Sequence, residues 1–430
     1  MEQFKAALKA FLIECCRQLA GESPQLRIWT RIMREDGGRT SFPQEMRPDF
    51  SNSLLRFRKG VLKSQIHEFN PIVKIVREDP QLRSVLLVDA GGNPITEEKS
   101  EVWWLENMLA GRLLHAYADK TKGFQFNEQT FDQLFDELRR DIESPDITVS
   151  ELSPLMNVEI ESDQIQIDND IQLRQLSTDE LEEWLNVETL LSSQPLTVQE
   201  LLGLQSAVEV VYQQKRYSAL GPKADTREKV SRLLTAMRLI TDASPRLAFT
   251  KTRTSSLLTS GFSTIWGAFV FRFGPSAKVD KSQESGLLEL YKKLGSGPNL
   301  TRIGLAIARW NSAADRLTKE DKLIDYWIAL ESLFVPDITQ ELSYRTTLRI
   351  AAFLGSNGVE RKQIYEQMKE SYRLRSEIVH GSIRKGKKKV GSTELINLSG
   401  SYLRQALLKT LEASYHFDPS KLEAQLLEKE

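Results

Sequence analysis

Between residues 146 and 275 apolar residues alternate with polar ones, and after Gly274-Pro275 they recur every third or fourth position nearly to the C-terminus. A period of two belongs to a strand with one buried face and a period near 3.6 to a helix. A chain that carries both in separate blocks must build more than one kind of core. Its 430 residues also exceed what a single hydrophobic core usually organises. The expected fold is therefore α+β, multidomain and mostly α. It comprises a mixed, helix-rich N-terminal domain over 1–145, a β-rich middle domain over 146–280 and a helical bundle over 281–430.

In the first block, helical spacing covers 2–20, 100–118 and 126–142, with a turn at Gly91-Gly92-Asn93. Trp103 and Trp104, at helical spacing, read as core residues. In the second block Val158/Ile160, Ile165/Ile167 and Ile171/Leu173 mark a meander. Ser177-Thr-Asp-Glu180 supplies a capping box for a following helix, and the stretch at 207–212 returns to strand character. In the third block the expected helices run over 283–295, 302–316, 319–334, 339–356, 359–381 and 393–415. Thr318 is placed to cap the third, and Pro336 follows its end.

Hydrophobic residues make up 40% of the chain and charged residues 27%, which excludes a disordered or fibrous protein. The net charge of −1 conceals an asymmetry, because residues 141–190 hold fourteen Asp and Glu against one Arg, whereas 360–390 hold ten Lys and Arg against four Glu. The acidic stretch reads as a solvated sheet face. Any polyanion partner belongs at the basic, C-terminal end. The two cysteines, Cys15 and Cys16, are adjacent on a helical pattern and unsuited to a disulfide with each other, which fits a reducing compartment. No run of about 18 apolar residues is present, so a cytoplasmic protein with no membrane partner is expected.

The phosphate-binding loop, the dinucleotide glycine fingerprint, HExxH, CxxC and GxSxG are all missing, and the four histidines at 67, 115, 380 and 416 do not stand at metal-ligand spacing. No metal and no cofactor are expected. The unusual feature is the helix expected at 359–381, where Ile364, Met368, Tyr372 and Val379 share a face with Arg375. A guanidinium in an apolar stripe costs desolvation unless a carboxylate, a neighbouring chain or a ligand phosphate meets it. Arg373 points elsewhere and can pair with Glu377. His380 falls in the last turn, before Gly381 as a left-handed cap, where the helix dipole favours imidazolium and acid–base work near neutral pH. Glu331 lies in line with Ile324, Trp327 and Ile328 on another apolar face, and a structural ion pair with Arg345 or Arg349 is favoured for it over a role in orienting Arg375. Beyond the helix, Arg384, Lys385, Lys387, Lys388 and Lys389 form a basic loop suited to phosphate contact without base readout.

The segment Arg375-Ser-Glu-Ile-Val-His380-Gly resembles the R-x(4–6)-H motif of HEPN ribonucleases, with Ser376 as the polar residue that often follows the Arg. Together with LIDYWIALESLF at 323–334, ELSYRTTLRIAAFLG at 341–355 and SYRLRSEIVHG at 371–381, it resembles the Apea-like branch of HEPN proteins of prokaryotic anti-phage and abortive-infection systems. The resemblance covers about 300–415 and, more loosely, 146–180. It implies a HEPN bundle and a metal-independent endoribonuclease, with Arg375 and His380 catalytic, Ser376 and Glu331 supporting, and RNA as partner. A non-catalytic HEPN module that binds RNA or nucleotides, or acts as a scaffold, is the alternative. A trigger or an antitoxin protein would be a further partner. HEPN toxins silenced by adenylylation often carry Tyr two residues after the His; Ser382 stands there, so silencing at that site is not expected.

Residues five apart on a helix differ by about 140° in azimuth and about 7.5 Å in height, so Arg375 and His380 cannot share one straight face. Two copies of the helix around a twofold axis can bring both pairs to one phosphate, which points to a homodimer through the bundle.

Overall fold

The computed structural model describes residues 1–21, 25–34, 40–41, 43–49, 66–89, 92–144, 146–186, 204–216, 224–241, 243–247, 250–259, 263–264, 277–296, 301–335, 340–381, 389–413, 418–423 and 426. It is an α+β, multidomain chain, mostly helical, with its main sheet in the middle and helices at the C-terminal end. Contacts divide it into two compact units, and the division is not sequential: one holds 1–156, 163–223 and 247–272, the other 157–162, 224–246 and 273–430. The expected boundaries near 145 and 280 are thus cut differently. Two short pieces of the middle block, including a whole helix, pack with the C-terminal one.

In the first unit, helices α1 (Glu2–Leu19), α2 (Phe69–Glu78), α3 (Pro80–Leu86), α4 (Glu98–Trp104), α5 (Gly111–Thr121) and α6 (Glu128–Glu143) enclose a core that includes Phe4, Phe11, Ile72, Tyr117 and Phe131. Cys15 and Cys16 are free thiols inside it, and burial pushes Cys16 up to about 11 and Cys15 further still. Trp103 does not join this core. It is 55% exposed, because the side of α4 turned inward carries Glu101, bound by Arg77, and leads on to Leu105. Residues two apart lie some 160° apart on the opposite side.

The sheet of this unit follows the alternating pattern. Strands β1 (Asp146–Met156), β2 (Gln164–Asp168), β3 (Ile171–Gln175), β4 (Ser206–Lys215), β5 (Thr250–Thr254) and β6 (Ser263–Thr264) lie in the order β6-β5-β1-β4-β3-β2, each antiparallel to its neighbour. Ile165, Ile167, Ile171 and Leu173 are buried as the period requires. The capping box forms: Ser177 N donates to Glu180 Oε2 at 3.1 Å and Glu180 N to Ser177 Oγ at 3.2 Å, opening helix α7 (Thr178–Asn186).

The acidic stretch is only in part a solvated face: Glu143, Asp146, Glu161, Asp163 and Asp179 are exposed, but Glu151, Glu180 and Glu182 are buried. Arg174 grips Glu180 at 2.7 Å and Glu209 at 2.6 Å, Tyr212 donates to Glu151 at 2.8 Å, and Glu182 accepts from Arg31 and from the Ile32 amide. The pairs cross strands and helices, so counting charges along the chain could not locate them. Asp141 is buried as well and accepts from Ser256 Oγ and the Leu257 amide, while burial pushes its carboxyl above the usual range.

The second unit contains helices α8 (Ala224–Thr241), α9 (Lys281–Ser296), α10 (Thr301–Asp315), α11 (Lys319–Phe334), α12 (Leu342–Leu354), α13 (Gly358–Val379) and α14 (Lys389–Glu412). A short parallel pair, Val158–Ile160 with Ala277–Val279, accompanies them. Helix α11 packs against α10, α12, α13 and α14, and its Trp327, Leu330 and Phe334 are completely buried among Ile350, Met368, Leu403 and Leu407. Thr318 caps it as expected, accepting from Asp321 N at 3.1 Å. Pro336 lies outside the described residues. Helix α8, absent from the sequence expectation, joins this unit through Arg404, which donates to the carbonyls of Leu239 and Ile240. Among the described residues no helix is long and apolar enough to cross a membrane.

Candidate functional site

Helix α13 starts on Asn357, whose side chain accepts from Glu360 N at 3.0 Å, and stops where Gly381 takes φ +64°. His380 is its C-cap, with φ −87° and ψ 1°, and its amide donates to Ser376 O at 3.0 Å. Its imidazole is exposed. Arg373 lies on the outer surface and pairs with Glu370 and Glu377, as a solvated helix face would.

The buried stripe of α13 runs through Ile364, Met368 and Ser371, and the next step along it is Arg375. Arg375 therefore occupies the apolar face, as its spacing required. One assigned member of that face falls away: Val379 is 50% exposed, whereas its neighbour Ile378 packs against the core. Ser371 is the unexpected member. It accepts from Trp327 Nε1 at 3.0 Å and shares a 2.5 Å hydrogen bond with Ser399 of α14. This buried link ties α13 to α11 and α14 one turn before Arg375. Tyr372 stands edge-on to Trp327 at 4.9 Å and presents its ring to the Arg375 guanidinium at 5.7 Å. The arginine is held between a fixed aromatic and the end of the helix.

Arg375 Nε is buried with no hydrogen-bond partner. Arg216, Arg238 and Arg246 also have an unbonded Nε, but their other nitrogens are engaged by Ser144 O, by Asn311 Oδ1 and Pro245 O, and by Ala314 O respectively. Among the described residues, Arg375 alone of these four makes no hydrogen bond or ion pair. Its counter-charge is Glu331 of α11. Burial pushes the Glu331 carboxyl above its ordinary range, and the positive charge of Arg375 offsets part of that rise without a direct ion pair forming.

The favoured ion pair of Glu331 with Arg345 or Arg349 does not occur. Arg349 donates to Glu423 at 2.8 Å and to Phe334 O at 2.7 Å, and Arg345 pairs with Glu423 at 3.5 Å and Glu341 at 3.7 Å. A carboxylate from beyond α14 takes both arginines, and Glu331 is left facing Arg375. Ser376 is half-buried, and its described role is the carbonyl that receives the His380 amide. Arg384, Lys385, Lys387 and Lys388 lie outside the described residues, as does the side chain of Lys389, whose backbone begins α14. Among the described residues no group of three or more His, Cys, Asp or Glu side chains could hold a metal ion.

The chemistry available here is specific. A guanidinium without a partner in a partly apolar place offers strong donors to an incoming anion. A glutamate beside it fixes the local charge, and an exposed imidazole at the helix end can exchange protons with a bound molecule. Sequence spacing placed Arg375 on the inner stripe of the helix and His380 at its end. The Trp327–Ser371–Ser399 link was missed, since one serine among many on a helix carries no signal of what it faces. No protein-family model, no curated protein and no solved structure matches the chain.

Proposed function

We propose that this chain is a metal-independent endoribonuclease of the HEPN type, acting on RNA in the cytoplasm as an anti-phage or toxin effector. The observation that carries the reading is Arg375, a guanidinium on the apolar stripe of α13 with no hydrogen bond or ion pair among the described residues, five positions before an exposed His380. A part-buried guanidinium with an unsatisfied nitrogen is costly, and such groups concentrate where a ligand supplies the missing partner. A scissile phosphate is such a partner. In the reaction His380 takes the proton from a ribose 2′-hydroxyl and the 2′-oxygen attacks phosphorus. The 5′-oxygen of the next nucleotide leaves with a proton taken from solvent, giving a 2′,3′-cyclic phosphate and a 5′-hydroxyl, and Arg375 neutralises charge on the non-bridging oxygens.

Because Arg375 faces inward and His380 outward on one helix, we place the working site in a homodimer, where the helix ends of two copies converge. The basic run from Arg384 to Lys389 then supplies phosphate contacts, and a trigger or antitoxin protein remains a compatible regulator.

Incubation of the purified chain with single-stranded and structured RNA in excess EDTA, with mapping of the product ends, tests this reading. Fragments ending in cyclic phosphate are expected. Binding without cleavage would favour the non-catalytic HEPN module, and cleavage restored only by a divalent ion would exclude the stated chemistry.

A further inference from the structure

Beside Arg375, helices α12 and α13 enclose an open groove of about 610 Å³ lined by Glu341, Tyr344, Thr347, Tyr365, Lys369 and Tyr372. Three of the residues lining it are tyrosines. Tyr344 is 53% exposed although it is a large aromatic, and Tyr365 and Tyr372 are half-buried and line the groove. Tyr344 and Tyr365 meet edge to face at 6.4 Å, and Lys369 holds its ammonium 5.8 Å from the Tyr365 ring centre. Lys369 has no carboxylate partner among the described residues. The acidic residue at the rim, Glu341, is opposed by Arg345 at 3.7 Å.

Tyr365, Lys369, Tyr372 and Ser376 follow one another at steps of four, three and four along α13, and one more step of four reaches His380. At about 100° per residue these five positions fall within about 80° of one another. The groove and the histidine therefore share one side of the helix, with about 12 Å of helix axis between Tyr372 and His380.

We infer that this groove is a binding track for single-stranded RNA, in which Tyr344, Tyr365 and Tyr372 stack nucleobases and Lys369 meets the backbone, so that the strand is led along α13 towards His380. The inference rests on the ribonuclease reading for the direction of the track, while the stacking itself does not. Partly exposed rings interleaved with a cation that has no carboxylate partner among the described residues are the combination that single-stranded nucleic acid recognises, because every base has a π-face and every link a charge. Base identity matters little to such a surface, so the track sets strand type and position and leaves sequence largely unread.

The test uses the full chain carrying His380→Ala, so that binding is read without cleavage, and three fluorescent probes of equal length: an oligouridylate, an abasic ribose-phosphate strand and an RNA duplex. The oligouridylate is expected to bind most tightly. Tyr344→Ala is expected to weaken it roughly five- to a hundredfold, with the abasic strand little affected and the melting temperature unchanged, since Tyr344 is largely exposed. Tyr344→Phe keeps the ring and should keep the affinity. Lys369→Ala should lower the salt dependence of binding by about 0.7 in the log–log slope, as loss of one phosphate contact requires. Equal binding of abasic and base-bearing strands would overturn the proposal. So would Tyr344→Ala binding the oligouridylate as before while its mass in solution falls from dimer to monomer, which would make the groove a contact between copies. If base-dependent binding holds and the unmodified chain cleaves nothing, the track stands and the ribonuclease reading falls.

Discussion

Glu180 in the sheet-bearing unit and Glu331 in the helical unit are both withdrawn from water, and their carboxyls move in opposite directions. Burial pushes Glu180 up, but hydrogen bonds from Arg174 and the Ser177 amide and the charges of Arg174 and Arg253 outweigh it and bring the group down to about 2. Burial likewise pushes Glu331 up, and there Arg375 recovers only part of the loss, so the group stays above its ordinary value of 4.5. The sheet uses its carboxylate as a completed structural link. The end of α13 keeps a glutamate and an arginine near each other without joining them. A completed network stabilises the fold and offers nothing to a ligand, whereas an incomplete one costs stability and leaves its donors free.

The largest effect expected from breaking this contrast is on cleavage. His380→Ala should lower the single-turnover rate about 10²–10⁴-fold with fold and RNA affinity retained, since the side chain is exposed. Wild-type rates from that variant would remove the catalytic assignment. Arg375→Lys should not restore activity to an Arg375→Ala chain, because an ammonium lacks the planar fork. If each site draws its Arg and His from different chains, mixing Arg375→Ala and His380→Ala chains should recover part of the activity in heterodimers.

Next in size is the sheet. Glu180→Ala should cost about 2 kcal/mol of unfolding free energy, because it removes the paired hydrogen bonds to Arg174 and the capping box with Ser177, while Glu209 still meets the arginine. The contribution of Glu180 has a definite pH window. Its folded value is depressed, so the stabilisation is fully present above 4.5 and is lost as pH falls from there towards about 2. Denaturant melts of both proteins across that range should converge at the acid end; curves that stay parallel would show that Glu180 is not the group responsible.

Arg375→Met should differ from Glu180→Ala by leaving stability within about 1 kcal/mol of wild type while abolishing cleavage, since the relief of an unbonded guanidinium nitrogen is set against the counter-charge that Glu331 loses. A loss as large as that of Glu180→Ala would mean that the arginine is already satisfied in solution.

The smallest shift belongs to Glu331→Gln. A raised folded value means that folding favours the protonated form, so the wild type is penalised above that value and unpenalised below 4.5. The variant should melt slightly higher than wild type at neutral pH, with the difference closing as pH falls below 4.5, and should cleave more slowly if the carboxylate helps to hold Arg375. A gain that persists in acid would assign the effect to packing.

Much of this molecule is written locally. The ends of α11 and α13 follow from Thr318, Asn357 and Gly381, the capping box of α7 from Ser177 and Glu180, and the buried strand faces from Ile165, Ile167, Ile171 and Leu173. The inward position of Arg375 follows from its spacing to Ile364 and Met368. These features depend on neighbours within one or two turns, and such distances are fixed by the backbone period itself.

What the period could not decide is which helix faces which. Glu423 reaches Arg349 across 74 positions and so withholds it from Glu331, Trp327 finds Ser371 across 44, and Arg404 finds the end of α8 across 165. The burial of Glu180, Glu182 and Glu151 against Arg174, Arg31 and Tyr212 has the same origin. The incomplete pair of Glu331 and Arg375 and the tyrosine groove beside it exist only because α11, α12 and α13 meet as they do. A residue's partner across the core is set by the packing of whole faces, and that packing is decided by every side chain on those faces together.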